Sequence, residues 1–122
     1  MARILVIDDE ILGSCIAETL SFNLKDLQVV SVGNGIKGLQ LAQELQPDAI
    51  ICDLNMPEIN GYEVLDRLRR DEMTANIPFI FLTGEASYTK RNCGLGLGAN
   101  QYLTKPFAAS QLLKAVESQL TT

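Results

Sequence analysis

The sequence predicts an α/β fold in which a doubly wound, five-stranded parallel sheet is covered on both faces by five helices. Three observations predict it. Short apolar runs alternate with segments whose apolar residues recur at helical spacing along the whole 122-residue chain. The short runs are apolar throughout, as expected of strands buried on both faces. Most of these runs end on an acid, a hydroxyl or a lysine, and a parallel sheet gathers such ends along one edge.

In chain order, Ile4 to Ile7 is the first strand, stopped by Asp8, Asp9 and Glu10. Ile11, Leu12, Cys15, Ile16, Leu20 and Leu24 then recur as the apolar stripe of a helix. Gln28 to Val32 is β-branched and short, a second strand, and Gly33-Asn34-Gly35 is a turn. Ile36, Leu39, Ala42 and Leu45 mark the second helix, ended by Pro47. Gly38 inside it is expected to weaken it a little. Asp48 to Asp53 is the third strand, and Met56 to Gly61 a loop. Val64, Leu65 and Leu68 give one face of a third helix, with Asp66, Arg67, Arg69 and Arg70 as its solvated face. Pro78 opens the fourth strand, Phe79 to Leu82, closed by Thr83-Gly84. Ser87 to Cys93 is the weakest helix, followed by Gly94, Gly96 and Gly98, each worth about 1 kcal/mol against helix. Gln101 to Leu103 is the fifth strand, ended by Thr104-Lys105-Pro106, and Leu112, Leu113, Val116 and Leu120 belong to the last helix.

Composition narrows the function. A length of 122 residues is that of one domain, 47% hydrophobic and 20% charged content is globular, and a net charge of −5 opposes binding to nucleic acid. No apolar run approaches the length of a membrane span, and the start of the chain turns acidic too soon for a signal peptide. Three cysteines with no C-x-x-C pair read as reduced thiols in a cytoplasmic protein, with Cys52 in the core. With no histidine, imidazole chemistry on this chain is excluded.

The strand ends carry the chemistry. Asp8 and Asp9 follow strand one, Asp53 ends strand three, Thr83 ends strand four and Lys105 follows strand five. Two carboxylates about 4 Å apart repel by roughly 4 kcal/mol at an effective dielectric of 20, so a cluster of three needs a cation. Hard oxygen ligands with open positions suit Mg²⁺, with Mn²⁺ as the alternative ion. A metal, a hydroxyl and an ammonium around one carboxylate make a site for a phosphoryl group, with Asp53 as nucleophile.

Four motifs resemble the response regulator receiver domain in order and spacing: Val6-Ile7-Asp8-Asp9-Glu10, Asp53-Leu54-Asn55-Met56-Pro57 with Gly61 after it, Phe81-Leu82-Thr83, and Tyr102-Leu103-Thr104-Lys105-Pro106-Phe107. The resemblance covers essentially the whole chain, residues 1–122, as one receiver (phosphoacceptor) domain. It implies the flavodoxin-like strand order 2-1-3-4-5, taken over from chemotaxis regulators of this kind. It implies that Asp53 accepts phosphate from a histidine kinase or histidine phosphotransfer protein. Asp9, Asp53 and the Asn55 carbonyl would hold Mg²⁺, with Asp8 acting partly through water. Lys105 would pair with the phosphate, and Thr83 would turn toward it while Tyr102, the aromatic switch residue, moves inward. The Lys105-Pro106 bond is similar to one that is cis in the family. Asn55 and Glu85 match the positions that tune phosphate lifetime. Helix four, strand five and helix five would form the surface read by an output protein, with the chain a monomer or a phosphorylation-dependent dimer. Gly84 and Gly38 depart from the family's usual alanines.

Three other readings compete. An aspartate-nucleophile phosphatase of the haloacid dehalogenase type usually carries a second acid two residues after the nucleophile, where this chain has Asn55. A flavodoxin-like cofactor binder needs a phosphate loop after strand one, where Asp8-Asp9-Glu10 would repel the ligand. A receiver kept only as a scaffold would not need the full set of site residues.

Overall fold

The computed structural model describes residues 2–8, 12–54, 56, 58–83, 99–104 and 107–120, without the side chains of Leu12, Ser14 and Thr83. Strands β1 (Ala2–Ile7), β2 (Leu27–Val32), β3 (Ala49–Asp53), β4 (Phe79–Thr83) and β5 (Gln101–Thr104) form one sheet in the order β2-β1-β3-β4-β5, every pair parallel. Four helices lie among the described residues: α1 (Leu12–Asn23), α2 (Gly35–Leu45), α3 (Gly61–Arg70) and α4 (Ala109–Leu120). The fourth helix predicted from the sequence, Ser87 to Cys93, lies outside the described residues. No described helix is long and apolar enough to cross a membrane.

Strand residues alternate between two cores, because successive side chains point to opposite faces of a sheet. Ile4, Val6, Ala49, Ile51, Ile80 and Leu82 pack with Ile16, Leu20, Leu112 and Val116 from α1 and α4. Leu5, Ile7, Ile50, Cys52, Phe79 and Phe81 pack with Ala42 from α2 and Val64, Leu65 and Leu68 from α3. Each fully buried Ile, Leu or Phe contributes about 1.5–3 kcal/mol. Helix α3 starts with a capping box: Glu63 N–H donates to Asn60 Oδ1 (3.0 Å) and Asn60 N–H to Glu63 Oε1 (3.2 Å).

Two sequence expectations change. Helix α2 was expected to bury Ile36, yet Ile36 is 49% exposed and the buried residues are Gly35, Gly38 and Ala42. The helix turns its small residues to the sheet because it lies very close to it. A Cβ on Gly38 would overlap Ile7 Cδ1 and come within 2.8 Å of Ile7 Cγ1. Gly38 is therefore a space requirement set by Ile7 as well as a weak helix former. Gly38→Ala alone is expected to cost about 1–3 kcal/mol through overpacking. Combined with Ile7→Val, which removes Cδ1, the cost should fall by about half or more; denaturant melts of the two single variants and the pair measure the coupling. Equal costs with and without Ile7→Val would contradict the steric account.

The second change concerns Arg69, which is not a solvated side chain. It is half-buried, and its Nη1 donates to Ile77 O at 2.8 Å. Arg67 and Arg70 are exposed, and Arg70 pairs with Asp66 at 3.1 Å.

Candidate functional site

The site is built at the carboxyl ends of β1 and β3, neighbouring strands at the centre of the sheet. Their register pairs Ile7 with Cys52, so the next residue on each is Asp8 and Asp53. Both carboxyl side chains share the sheet face of Val6 and Ile51 by alternation. Asp8 and Asp53 are each only 3% exposed, and Thr74 is the other buried polar residue among those described. The backbone around them is tied down: Asp8 N–H donates to Val32 O (3.0 Å), and Leu54 N–H to Leu82 O (2.9 Å).

Cys52 reports the local field. Its thiol is buried, donates to Asp53 O at 3.3 Å, and titrates well above the usual thiol range. Burial is the larger cause, and the negative charges of Asp53 and then Asp8 add to it. Both carboxylates act on this one thiol, and the pairing of Ile7 with Cys52 sets Asp8 and Asp53 at adjacent strand ends.

Directly beneath Asp53 lies the start of α3. Gly61 N–H donates to Leu54 O at 2.8 Å. A Cβ on Gly61 would come within 2.7 Å of Asp53 O, 2.9 Å of Leu54 Cα and 2.9 Å of Phe81 Cε1. Only glycine lets the helix approach the peptide of Asp53 this closely. Gly13, in the first turns of α1, stands similarly near Asp8: a Cβ there would lie 3.1 Å from Asp8 Cβ.

Of the other predicted site residues, Thr83 ends β4 and pairs with Thr104 of β5, one step beyond the Asp53–Leu82 pair. Its main chain is therefore at the same edge as Asp53. Tyr102 pairs with Phe81 in the sheet, and its ring packs on that of Phe81 with centroids 5.3 Å apart. Asp9, Asn55, Glu85 and Lys105, together with the Lys105-Pro106 bond, lie outside the described residues. Lys105 directly follows Thr104, the last residue of β5.

Sequence reasoning missed Tyr62, whose hydroxyl lies 2.8 Å from that of Tyr102. No sequence signal links two tyrosines 40 residues apart. Only the order of β3, β4 and β5 brings them together.

Among the described residues no group of three or more His, Cys, Asp or Glu side chains is placed to hold a metal. The two carboxylates that are described fit a hard divalent cation. They are oxygen donors of the same charge type, buried, and set at the ends of adjacent paired strands. Such a pair is stabilised by a cation between them, and Mg²⁺ commonly takes one or two carboxylates and keeps open positions for water and phosphate.

Comparison with known proteins agrees with this geometry. The sequence profile of the family described as the response regulator receiver domain matches residues 4–117. The chain is 43% identical to the DNA-binding dual master transcriptional regulator RpaA of Synechocystis over 98% of its own length, but spans only 49% of RpaA. It is 35% identical to the protein PilH of Pseudomonas aeruginosa over 98% of both chains. Among solved structures, it resembles the receiver domain of the sensor histidine kinase PA1611 of Pseudomonas aeruginosa, which has a magnesium ion coordinated in its active-site cleft. That likeness has a TM-score of 0.87 and 28% identity, and covers 99% of this chain and 98% of that one. A central-sheet acidic site, the strand order β2-β1-β3-β4-β5 and a family match along nearly the whole chain converge on one conclusion: the chain belongs to the response regulator receiver family of two-component signalling.

Proposed function

We propose that Asp53 is the phosphoacceptor of a phosphorylation switch. The observation that carries this is the buried pair Asp8 and Asp53 at adjacent strand ends, each 3% exposed. A carboxylate oxygen of Asp53 attacks the phosphorus of a phosphohistidine on a kinase or phosphotransfer protein. The new O–P bond forms as the P–N bond breaks, and its electron pair stays on the imidazole. Asp8, Asp9, Asp53 and the Asn55 carbonyl would hold Mg²⁺, or Mn²⁺ in its place. The ion would offset the carboxylate charges and the charge on the transferring group. Lys105 pairs with the phosphoryl oxygens and Thr83 turns to donate to them. Asn55 and Glu85 flank the path of the water that later hydrolyses the acyl phosphate and restores the carboxylate. The chain thus promotes its own phosphorylation and dephosphorylation but does not turn over a separate substrate.

Phosphorylation adds a charge of about −1.5 to −2 at the sheet edge. Its pull on Thr83 and Lys105 biases Tyr102 and the surface formed by residues 87–93, β5 and α4 between two states that an output protein distinguishes. The 122 residues act as one receiver unit in the cytoplasm, alone or in a larger protein, as a monomer or a phosphorylation-dependent dimer.

Incubation with acetyl phosphate and Mg²⁺, followed by intact-mass analysis, is expected to add one phosphoryl group, mapped by peptide analysis to Asp53. Hydrolysis of a phosphate ester well beyond one equivalent would instead make the protein an aspartate-nucleophile phosphatase. An unmodified mass in the presence of both reagents would leave a scaffold.

A further inference from the structure

The hydroxyl pair Tyr62–Tyr102 joins the two halves of the site. The two oxygens are 2.8 Å apart and half-buried, and either can donate. Both rings also pack on Phe81: Tyr62 meets it edge-on at 5.2 Å and 67°, and Tyr102 at 5.3 Å and 45°. Phe81 is held from behind by Phe79, edge-on at 4.9 Å. The hydroxyl contact closes this ring cluster over the α3 face of the sheet.

Each tyrosine is anchored to a different part of the chemistry. Tyr62 directly follows Gly61, whose backbone is wedged against the Asp53 carbonyl. Tyr102 lies on β5, three residues before Lys105. A hydrogen bond between them links the peptide that carries Asp53 to the strand that leads to Lys105. Phenylalanine at either position would keep the ring contacts, so the hydroxyls add directional restraint rather than bulk.

We propose that Tyr62 is a positioning residue for the switch: its hydroxyl latches Tyr102 in the unphosphorylated protein, and Tyr102 moves only when that hydrogen bond is released. This rests on the phosphoacceptor reading above and deepens it by naming the group against which the switch works. A single hydrogen bond of ordinary net strength biases a two-state equilibrium by about three- to tenfold. By linkage, removing it must tighten binding of a phosphate mimic by a like factor.

The test is a beryllofluoride titration in Mg²⁺, followed by NMR of ring-¹³C-labelled tyrosine, on the wild type, Tyr62→Phe, Tyr102→Phe and the double variant. The chain has three tyrosines, so the Tyr102 signal is assigned by its loss in Tyr102→Phe. Tyr62→Phe is expected to bind beryllofluoride about three- to tenfold more tightly. Its Tyr102 resonances should already be displaced toward their saturated positions before the mimic is added. Tyr102→Phe should give a similar gain, and the double variant no further gain, because both changes remove the same bond. Unchanged or weaker affinity in Tyr62→Phe, with Tyr102 resonances at their wild-type positions, would overturn the latch and leave the phosphoacceptor reading standing. A wild type that takes up no beryllofluoride would overturn both.

Discussion

Asp53→Asn is expected to end phosphorylation by acetyl phosphate and, in metal-free buffer, to make the protein more stable. The first effect follows from chemistry. In the proposed reaction the carboxylate oxygen of Asp53 is the nucleophile, and an amide oxygen in its place does not form a stable acyl phosphate, so the mass adduct should vanish. The second follows from electrostatics. Asp8 and Asp53 are each 3% exposed, and their strands run side by side with Ile7 and Cys52 paired just before them. Paired strands lie about 4.8 Å apart, and two like charges at that spacing repel by about 3 kcal/mol at an effective dielectric of 20. Lys105 offsets part of this in the proposed site. Neutralising Asp53 should therefore gain about 1–3 kcal/mol without metal, read as a rise of several degrees in the melting temperature in EDTA. Asp8→Asn should show the same gain. A retained adduct in Asp53→Asn would move the acceptor to another residue, and a lower melting temperature in EDTA would deny the repulsion.

The second large effect is expected from Gly61→Ala. Alanine ordinarily favours a helix over glycine by about 1 kcal/mol, and Gly61 opens α3 just after its cap, Asn60. Here the added Cβ would meet the Asp53 carbonyl oxygen at 2.7 Å and Leu54 Cα at 2.9 Å. Both are backbone atoms of buried residues and have no free end to swing aside. Overpacking should outweigh propensity and cost about 1–3 kcal/mol. The relief available is a shift of the Asp53 peptide, which would misplace the proposed nucleophile. Phosphorylation by acetyl phosphate should slow by about tenfold to a hundredfold, the usual cost of an ångström of misplacement. Gain of stability at unchanged phosphorylation rate would show that the close approach is not needed.

The positions of Asp8 and Asp53 were legible in the sequence because both stand at strand ends. Asp53 follows Ile50-Ile51-Cys52, an apolar run whose shortness and flanking turn residues mark a buried strand, and its place at the edge follows from the strand stopping there. Asp8 follows Ile4 to Ile7 in the same way. The strand order needed the family resemblance, since periodicity fixes elements and not their neighbours. What remained hidden depends on distances between elements. Ile36 fits an apolar helical stripe, but helix α2 rolls its glycines inward because Ile7 stands beneath Gly38. Arg69 belongs by spacing to a charged face, but the turn after α3 folds back so that Ile77 O meets its guanidinium. Tyr62 looks like an ordinary first-turn residue until β4 and β5 bring Phe81 and Tyr102 alongside it.

If Asp8 and Asp53 hold a divalent cation, thermal melts of the wild type and of Asp8→Asn in EDTA and over a Mg²⁺ titration will show it. A site that binds the folded protein alone gains about 1.4 kcal/mol at ten times its Kd, or about 5 °C for a chain of this size. The wild type should rise by that amount, with Mn²⁺ acting likewise, and Asp8→Asn should begin higher in EDTA and respond little. Coincident wild-type melts in EDTA and in saturating Mg²⁺ would mean that the two carboxylates hold no such ion.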